Sequence, residues 1–133
     1  ELDPEEVKVC QKHLLKVCED IKANNKVKTY WGDAFESIKK VKDSKYDKIF
    51  VDLNDDQFCI DLAAKNMKGL KRILKPGGVI TAQVGCMSKK PRQVKNWLEL
   101  LKNNFGNVVL DEVFIPSFDC RWNFASSSNK NHS

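Results

Sequence analysis

The stretch between Tyr46 and Val84 constrains the fold more than any other part of this sequence. Tyr46-Asp47-Lys48-Ile49-Phe50-Val51-Asp52 reads as a strand whose apolar end runs directly into acid residues. Residues 59–74 then place Leu62, Ala63, Met67, Leu70 and Leu74 on one helical face. Lys75-Pro76-Gly77-Gly78 stops that helix, since proline cannot continue it and glycine supplies the turn. Residues 79–84 form the next strand. Strand, helix, sharp stop and strand in this order require helices layered on a sheet.

The remaining segments keep the alternation. Asp3-Pro4-Glu5-Glu6 starts a helix: Asp3 caps it, Pro4 suits its first turn, and Glu6 is a capping-box partner. Val7, Cys10, Leu14, Cys18 and Ile21 continue it to about residue 23, where Asn24-Asn25 ends it. A short strand is predicted over 27–31, a turn at Gly32-Asp33-Ala34, and a short helix over 35–41. Residues 91–104 read as a helix with Val94, Trp97, Leu98 and Leu101 facing inward. Residues 108–115 and 122–126 are strands with no helix between them, so one runs antiparallel. The expectation is one α/β domain over 1–126, its sheet mostly parallel with an antiparallel final strand, and a polar, frayed tail over 127–133.

Composition removes several function classes. Hydrophobic residues make up 41% and charged residues 31%, ordinary for a globular domain. There is no run of about 18 apolar residues and no charged-then-apolar leader. The five cysteines are an odd number, widely spaced, without a C-x-x-C pair, and read as reduced thiols of a cytoplasmic protein. The formal charge of +5 is scattered over many lysines. Its densest run, Lys89-Lys90-Pro91-Arg92, reads as a solvated loop, so neither nucleic acid nor membrane is expected as a partner. His13 falls on a helix and His132 in the tail, which suggests no metal.

In an open α/β sheet, ligands bind beyond the carboxyl ends of the strands. That rule selects Glu1 and Asp3, Asp33, the cluster Asp52, Asp55 and Asp56, then Gln83 and Gly85, then residues 116–119. These placements resemble the class I S-adenosylmethionine fold. In that resemblance Glu1 has the place of the acid that accepts both ribose hydroxyls. Gly32-Asp33-Ala34 looks like the turn in which an aspartate accepts the adenine amino group. Leu74 to Ile80 resembles the helix-to-strand turn common across the fold. Plainer readings stand beside these: Asp3 as a helix cap, Asp33 as an ordinary turn residue.

Ile115-Pro116-Ser117-Phe118-Asp119-Cys120-Arg121-Trp122 narrows the resemblance. It is similar to the proline-led loop of polyamine aminopropyltransferases that closes over the amine, nearest to spermine and thermospermine synthases. Asp52-Leu53-Asn54-Asp55 resembles the acidic loop of the same family, and Ala82-Gln83-Val84-Gly85 its strand-ending glutamine. The resemblance covers nearly all of residues 1–126 in the right order. It implies transfer of an aminopropyl group from decarboxylated S-adenosylmethionine, a co-substrate and not a tightly bound cofactor, with methylthioadenosine as product. The acceptor it implies is putrescine or spermidine, and the implied assembly is a homo-oligomer. Asp55 matches the catalytic base and Asp52 the leading acid of the loop, so both are candidates for the chemistry. Glu1, Gly32, Asp33 and Ala34 are candidates for the nucleoside, and Asp52, Asn54, Gln83, Pro116 and Phe118 for the amine. Trp122 either flanks the amine or packs the final strands.

Departures from the pattern are specific. The glycine-rich turn and strand that open the family's fold, and its small N-terminal β-domain, would precede Glu1. A strand at 27–31 would then face the strand at 46–52 across a gap in the sheet, and the missing part is expected in cis or from another chain. Asp56-Gln57-Phe58-Cys59 replaces the family's Asp-Pro and Gly-Pro, and Phe118 stands where a tyrosine is often found. Two alternatives are an S-adenosylmethionine-dependent methyltransferase of the same fold and a non-catalytic aminopropyltransferase relative.

Overall fold

In the computed structural model, which describes residues 1–16, 18–19, 24–54 and 56–129, the chain divides into the units Glu1–Lys40 and Val41–Ser133. In the first unit, α1 (Pro4–His13) begins as its residues require: Asp3 accepts from the Glu5 N–H, and Pro4 occupies the first turn. The helix breaks at Leu14, whose N–H closes on the Cys10 carbonyl at 2.8 Å. Residues 15–16 and 18–19 are helical again. The rest of the expected extension, residues 17 and 20–23, lies outside the described residues. Residues 27–31 form no strand. Their neighbour is Glu1: its backbone nitrogen donates to the Tyr30 carbonyl at 3.0 Å, and Gly32 N–H donates to the Glu1 carbonyl at 2.9 Å. β-rich composition alone does not make a strand without a ladder to join. α2 (Ala34–Lys39) follows and buries Phe35.

The second unit holds a four-stranded sheet of β1 (Tyr46–Val51), β2 (Leu74–Gly85), β3 (Val108–Ile115) and β4 (Cys120–Ser128), in the order β1-β2-β4-β3. β1 and β2 are parallel and are joined through α3 (Gln57–Ile73); β4 is antiparallel to both neighbours. Three strands thus share a direction and the last is reversed, as the missing helix between β3 and β4 implied. The described sheet has no internal gap, because residues 27–31 take no part in it and β1 is its edge.

One face of this sheet carries the core. α3 buries Ile60, Ala63, Met67, Leu70 and Ile73, spaced three or four apart. α4 (Pro91–Phe105) buries Val94, Trp97, Leu101 and Phe105 in the same manner. Beneath them lie alternate residues of β2, Ile80, Ala82 and Val84, each fully buried. The intervening residues, Thr81 and Gln83, face the other side of the sheet, and the strand period of two separates core from cleft.

The Lys75-Pro76-Gly77-Gly78 turn lies inside β2 rather than before it, so the strand begins five residues earlier than expected. Gly77 has φ +75°, and at Gly78 a Cβ would meet the Asp47 and Lys75 carbonyl oxygens at 2.9 Å each. Lys75 Nζ bonds both carboxylate oxygens of Asp47, at 2.9 and 3.0 Å, and ties the turn to β1.

Two expectations are corrected here. β4 continues through Ser128, with Ser127 only 4% exposed and its hydroxyl donating to the Asn107 carbonyl at 2.7 Å. Asn129 then exchanges backbone bonds with Gly77 and Gly78. The segment is polar because its partners are main-chain groups, not because it is frayed; residues 130–133 lie outside the described residues. Second, Cys86 and Cys120 are paired as a disulfide, with a Cα–Cα distance of 6.4 Å, while Cys10, Cys18 and Cys59 are in none. Thirty-four residues separate the paired cysteines, and strand pairing brings them together where no spacing rule could. Among the described residues, no helix is long and apolar enough to cross a membrane.

Candidate active site

Candidate residues of the first unit converge on the Gly32 turn. Backbone bonds hold Glu1 against Tyr30 and Gly32, so an acid and a turn 31 residues apart in sequence become neighbours. The Asp3 N–H donates to Glu1 Oε1 at 3.0 Å. That bond, and then the Leu2 N–H, holds the exposed Glu1 carboxyl below its ordinary value. Asp33 caps α2: its Oδ1 accepts from the Phe35 N–H at 2.7 Å and the Glu36 N–H at 3.4 Å. Asp3 caps α1 through the Glu5 N–H at 2.9 Å. For Asp3 the capping role is the whole of what the geometry assigns. For Asp33 the cap uses one carboxylate oxygen and leaves Oδ2 without a bond among the described residues.

In the second unit the sheet face opposite α3 and α4 forms a cleft of about 610 Å³ beyond the carboxyl end of β1. This lies in the size range of small-molecule sites. Phe50, Thr81 and Gln83 line its floor, with Trp122 and Phe124 from the adjacent strand. Asp52, Leu53 and Asn54 form one rim, and Ile115 and Phe118 another. Asp52 and Asn54 are exposed and Leu53 is half-buried, so the polar groups of that rim meet solvent. Asp55 lies outside the described residues. Asp56 caps α3 through the Cys59 N–H at 2.8 Å, which gives it a structural part.

The Ile115–Cys120 segment is a hairpin loop. Pro116–Phe118 make a single 3-10 turn, and Asp119, in the left-handed region at φ 45°, returns the chain to β4. Ile115 pairs with Cys120 across its base. Pro116 shapes the turn and is not part of the cleft wall, whereas Phe118 is. The Phe118 ring packs against Trp122, with centroids 4.5 Å apart and planes tilted by 47°. Trp122 Nε1 donates to Gln83 Oε1 at 2.8 Å, and Gln83 Nε2 donates to the Leu53 carbonyl.

Three further links hold this hairpin to the turn after β2. Lys89 Nζ donates to the Phe118 and Asp119 carbonyls at 3.0 and 3.2 Å, the Met87 N–H donates to buried Asn123 at 3.0 Å, and Cys86 pairs with Cys120. Lys89, part of the basic run of the sequence, therefore serves the hairpin.

The arrangement suits a cation carried on a methylene chain. Carboxylate at the rim neutralises charge, and aromatic floor and wall take apolar carbons or the face of an ammonium. Among the described residues there is no cluster of three His, Cys, Asp or Glu side chains able to hold a metal. Sequence reasoning missed Thr81 and Phe124 and underrated Trp122. Their signal was the period of two: Thr81 and Gln83 alternate with a buried apolar row, and Trp122 and Phe124 with buried Asn123 and Ala125.

Comparison with known proteins follows the same lines. A family model described as the spermine/spermidine synthase domain matches residues 1–133. A polyamine aminopropyltransferase of Prochlorococcus marinus (strain MIT 9215) is 31% identical over 140 residues, covering 98% of this chain and 48% of that protein. A spermidine synthase solved in complex with the transition-state analogue AdoDATO superposes with a TM-score of 0.82 at 17% identity, covering 97% of this chain and 45% of its own. The spermidine synthase of Thermotoga maritima gives a TM-score of 0.75 at 17% identity, with coverage of 97% and 43%. At these identities the structural likeness establishes the fold. The chain spans about half the length of the curated relative it matches.

Proposed function

This chain belongs to the spermine/spermidine synthase family, and from that premise we propose that it transfers an aminopropyl group from decarboxylated S-adenosylmethionine to putrescine or spermidine. The observation that carries the proposal is the cleft at the end of β1, where the acidic rim of Asp52 meets the aromatic surface of Phe118, Trp122 and Phe124. In the reaction, an amine nitrogen of the acceptor attacks the aminopropyl carbon bonded to the sulfonium. The C–S bond breaks, its electron pair returns to sulfur, and methylthioadenosine leaves. The acceptor nitrogen must carry a lone pair, so its proton passes to a carboxylate within hydrogen-bond reach.

We assign that proton to Asp55 or Asp52, which act together in the acidic loop. Asp52, Asn54 and Phe118 surround the amine; Pro116 shapes the turn that carries Phe118, and Gln83 is in the cleft floor. Glu1 is assigned to the ribose hydroxyls, and Gly32, Asp33 and Ala34 to the adenine. The co-substrate is bound and released with each turnover. Because the chain spans about half of its curated relative, the activity is proposed for the whole protein, in which this segment is completed in cis or by another chain. A homo-oligomer and a cytoplasmic location belong to the same proposal, and light scattering and cell fractionation check them.

The test is turnover by the full-length native protein with decarboxylated S-adenosylmethionine and either amine, beside Asp55→Asn. General-base loss should lower kcat by roughly 10²- to 10⁴-fold, and the preferred amine identifies the acceptor. A folded protein that binds methylthioadenosine yet turns over neither amine would sink the proposal in favour of a non-catalytic relative. Tighter binding of S-adenosylmethionine than of its decarboxylated form would favour methyl transfer.

A further inference from the structure

Trp122 and Gln83 lie between the two rims of the cleft, and their hydrogen bonds run one way. An indole N–H only donates and a backbone carbonyl only accepts. Trp122 Nε1–H therefore needs an acceptor, and the Leu53 carbonyl needs a donor. A glutamine side chain offers both: Oε1 takes the indole proton at 2.8 Å, and Nε2 donates to Leu53. Leu53 is the residue between Asp52 and Asn54, the two polar side chains of the described rim. At the other end, the Trp122 ring packs on Phe118 in the hairpin turn, with centroids 4.5 Å apart. The path thus begins in the hairpin, crosses the sheet face through β4 and β2, and ends on the backbone of the acidic loop.

We infer that Trp122 and Gln83 form a positioning relay, in which Gln83 fixes the acidic loop instead of binding the amine, and Trp122 sets the orientation of Gln83. The relay rests on the proposed aminopropyl transfer for its consequence, and on geometry alone for its existence. Both rotamer-defining ends of the Gln83 amide are committed within the protein. Asp52 and Asn54 stand on a short segment after β1 that has, among the described residues, no ladder partner beyond Val51, and the bond to Leu53 restrains it. A loop released by even about 1 Å loses roughly a hundredfold in rate when it carries a reacting group.

Trp122→Phe and Gln83→Leu in the full-length native protein test this, with Gln83→Glu as a third variant. Trp122→Phe keeps a ring against Phe118 and removes the donor together with part of the ring surface. The first readout needs no activity: hydrogen–deuterium exchange over residues 52–56 should rise severalfold in Trp122→Phe and Gln83→Leu. Exchange indistinguishable from the parent in both would overturn the relay, whatever the protein catalyses. The second readout is kinetic. Both variants should lose roughly ten- to a hundredfold in kcat with KM for the amine little changed, and the double variant should lose no more than Gln83→Leu alone. Gln83→Glu keeps the acceptor for Trp122 but cannot donate to Leu53, so it too should lose kcat. If Glu instead lowers KM for the cationic amine and keeps kcat, Gln83 contacts substrate and the relay is wrong. Raised exchange in the two variants, with no aminopropyl turnover by the parent, would uphold the relay and sink the functional proposal.

Discussion

Gly78→Ala tests whether the turn inside β2 sets the register of the whole site. A Cβ at Gly78 would lie 2.7 Å from Leu74 Cδ1 and 2.9 Å from the carbonyl oxygens of Asp47 and Lys75. The leucine methyl can rotate away, but the two carbonyls belong to β1 and to the turn itself. Relief to ordinary contact needs about half an ångström of movement between β1 and β2, next to the pairs Lys48–Val79 and Ile49–Ile80. Overpacking of this kind costs about 1–3 kcal/mol. With a urea slope of about 2 kcal/mol per molar, the midpoint should fall by roughly 0.5–1.5 M at unchanged slope. Gly77→Ala is the contrast: nothing lies within 4 Å of its Cβ, but its φ of +75° costs a left-handed alanine about 1–2 kcal/mol. Gly77→Asn should recover part of that loss, whereas Gly78→Asn should be worse than Gly78→Ala. A Gly78→Ala midpoint within about 0.2 M of the parent would refute the close-approach argument.

Three other outcomes follow from the same geometry. Asp33→Asn keeps a good N-cap for α2 while removing a carboxylate acceptor, so melting should stay near the parent as methylthioadenosine affinity falls about tenfold or more; equal affinity would leave Asp33 a cap alone. Asp47 and Glu112 are held below their ordinary values of 3.8 and 4.5, chiefly by hydrogen bonds from Lys75 and Arg121. Their contribution is therefore fully present above those values and lost as pH falls through the lower folded ones; Asp47→Asn with Glu112→Gln should flatten acid unfolding there, and an unchanged acid limb would contradict it. A non-reducing peptide map should link Cys86 to Cys120 and find Cys10, Cys18 and Cys59 alkylated. Closing this loop contributes roughly 4 kcal/mol in the chain-entropy account, so reduction should lower the urea midpoint.

Local chemistry made most elements of the fold legible. Proline at the start of α1 and of α4, the acid cap at Asp3, and the three-four spacing of Ala63, Met67 and Leu70 each act within a turn or two of sequence. Residues 27–31 failed because a strand is a relation between segments. Among the described residues their β-branched and aromatic side chains have no ladder to join, and the Tyr30 carbonyl accepts from the Glu1 backbone nitrogen. The end of β4 failed for a related reason. Ser127 and Asn129 look like tail residues by polarity, but Asn107, Gly77 and Gly78 offer main-chain partners that polarity cannot reveal.

The site divides along the same line. Carboxylates at strand ends were visible because the direction of an α/β sheet says where its ligands bind, and Asp52 lies on the cleft rim as that rule requires. The same rule cannot separate an acid that binds from one that caps: Asp56 directly follows the loop acids in sequence, and one of its oxygens caps α3 through the Cys59 N–H. Residues that hold the acids in place were less visible still. Trp122 is half-buried and apolar in most of its surface, so a core reading fits its composition, and only its pairing across 39 residues with Gln83 reveals the polar edge at work. Gln83 was found by its place at a strand end, but its role depends on which groups its two amide ends meet. Charge at a strand end can be read from sequence because sheet direction places it, whereas positioning is a property of contacts and becomes readable only once the strands are paired.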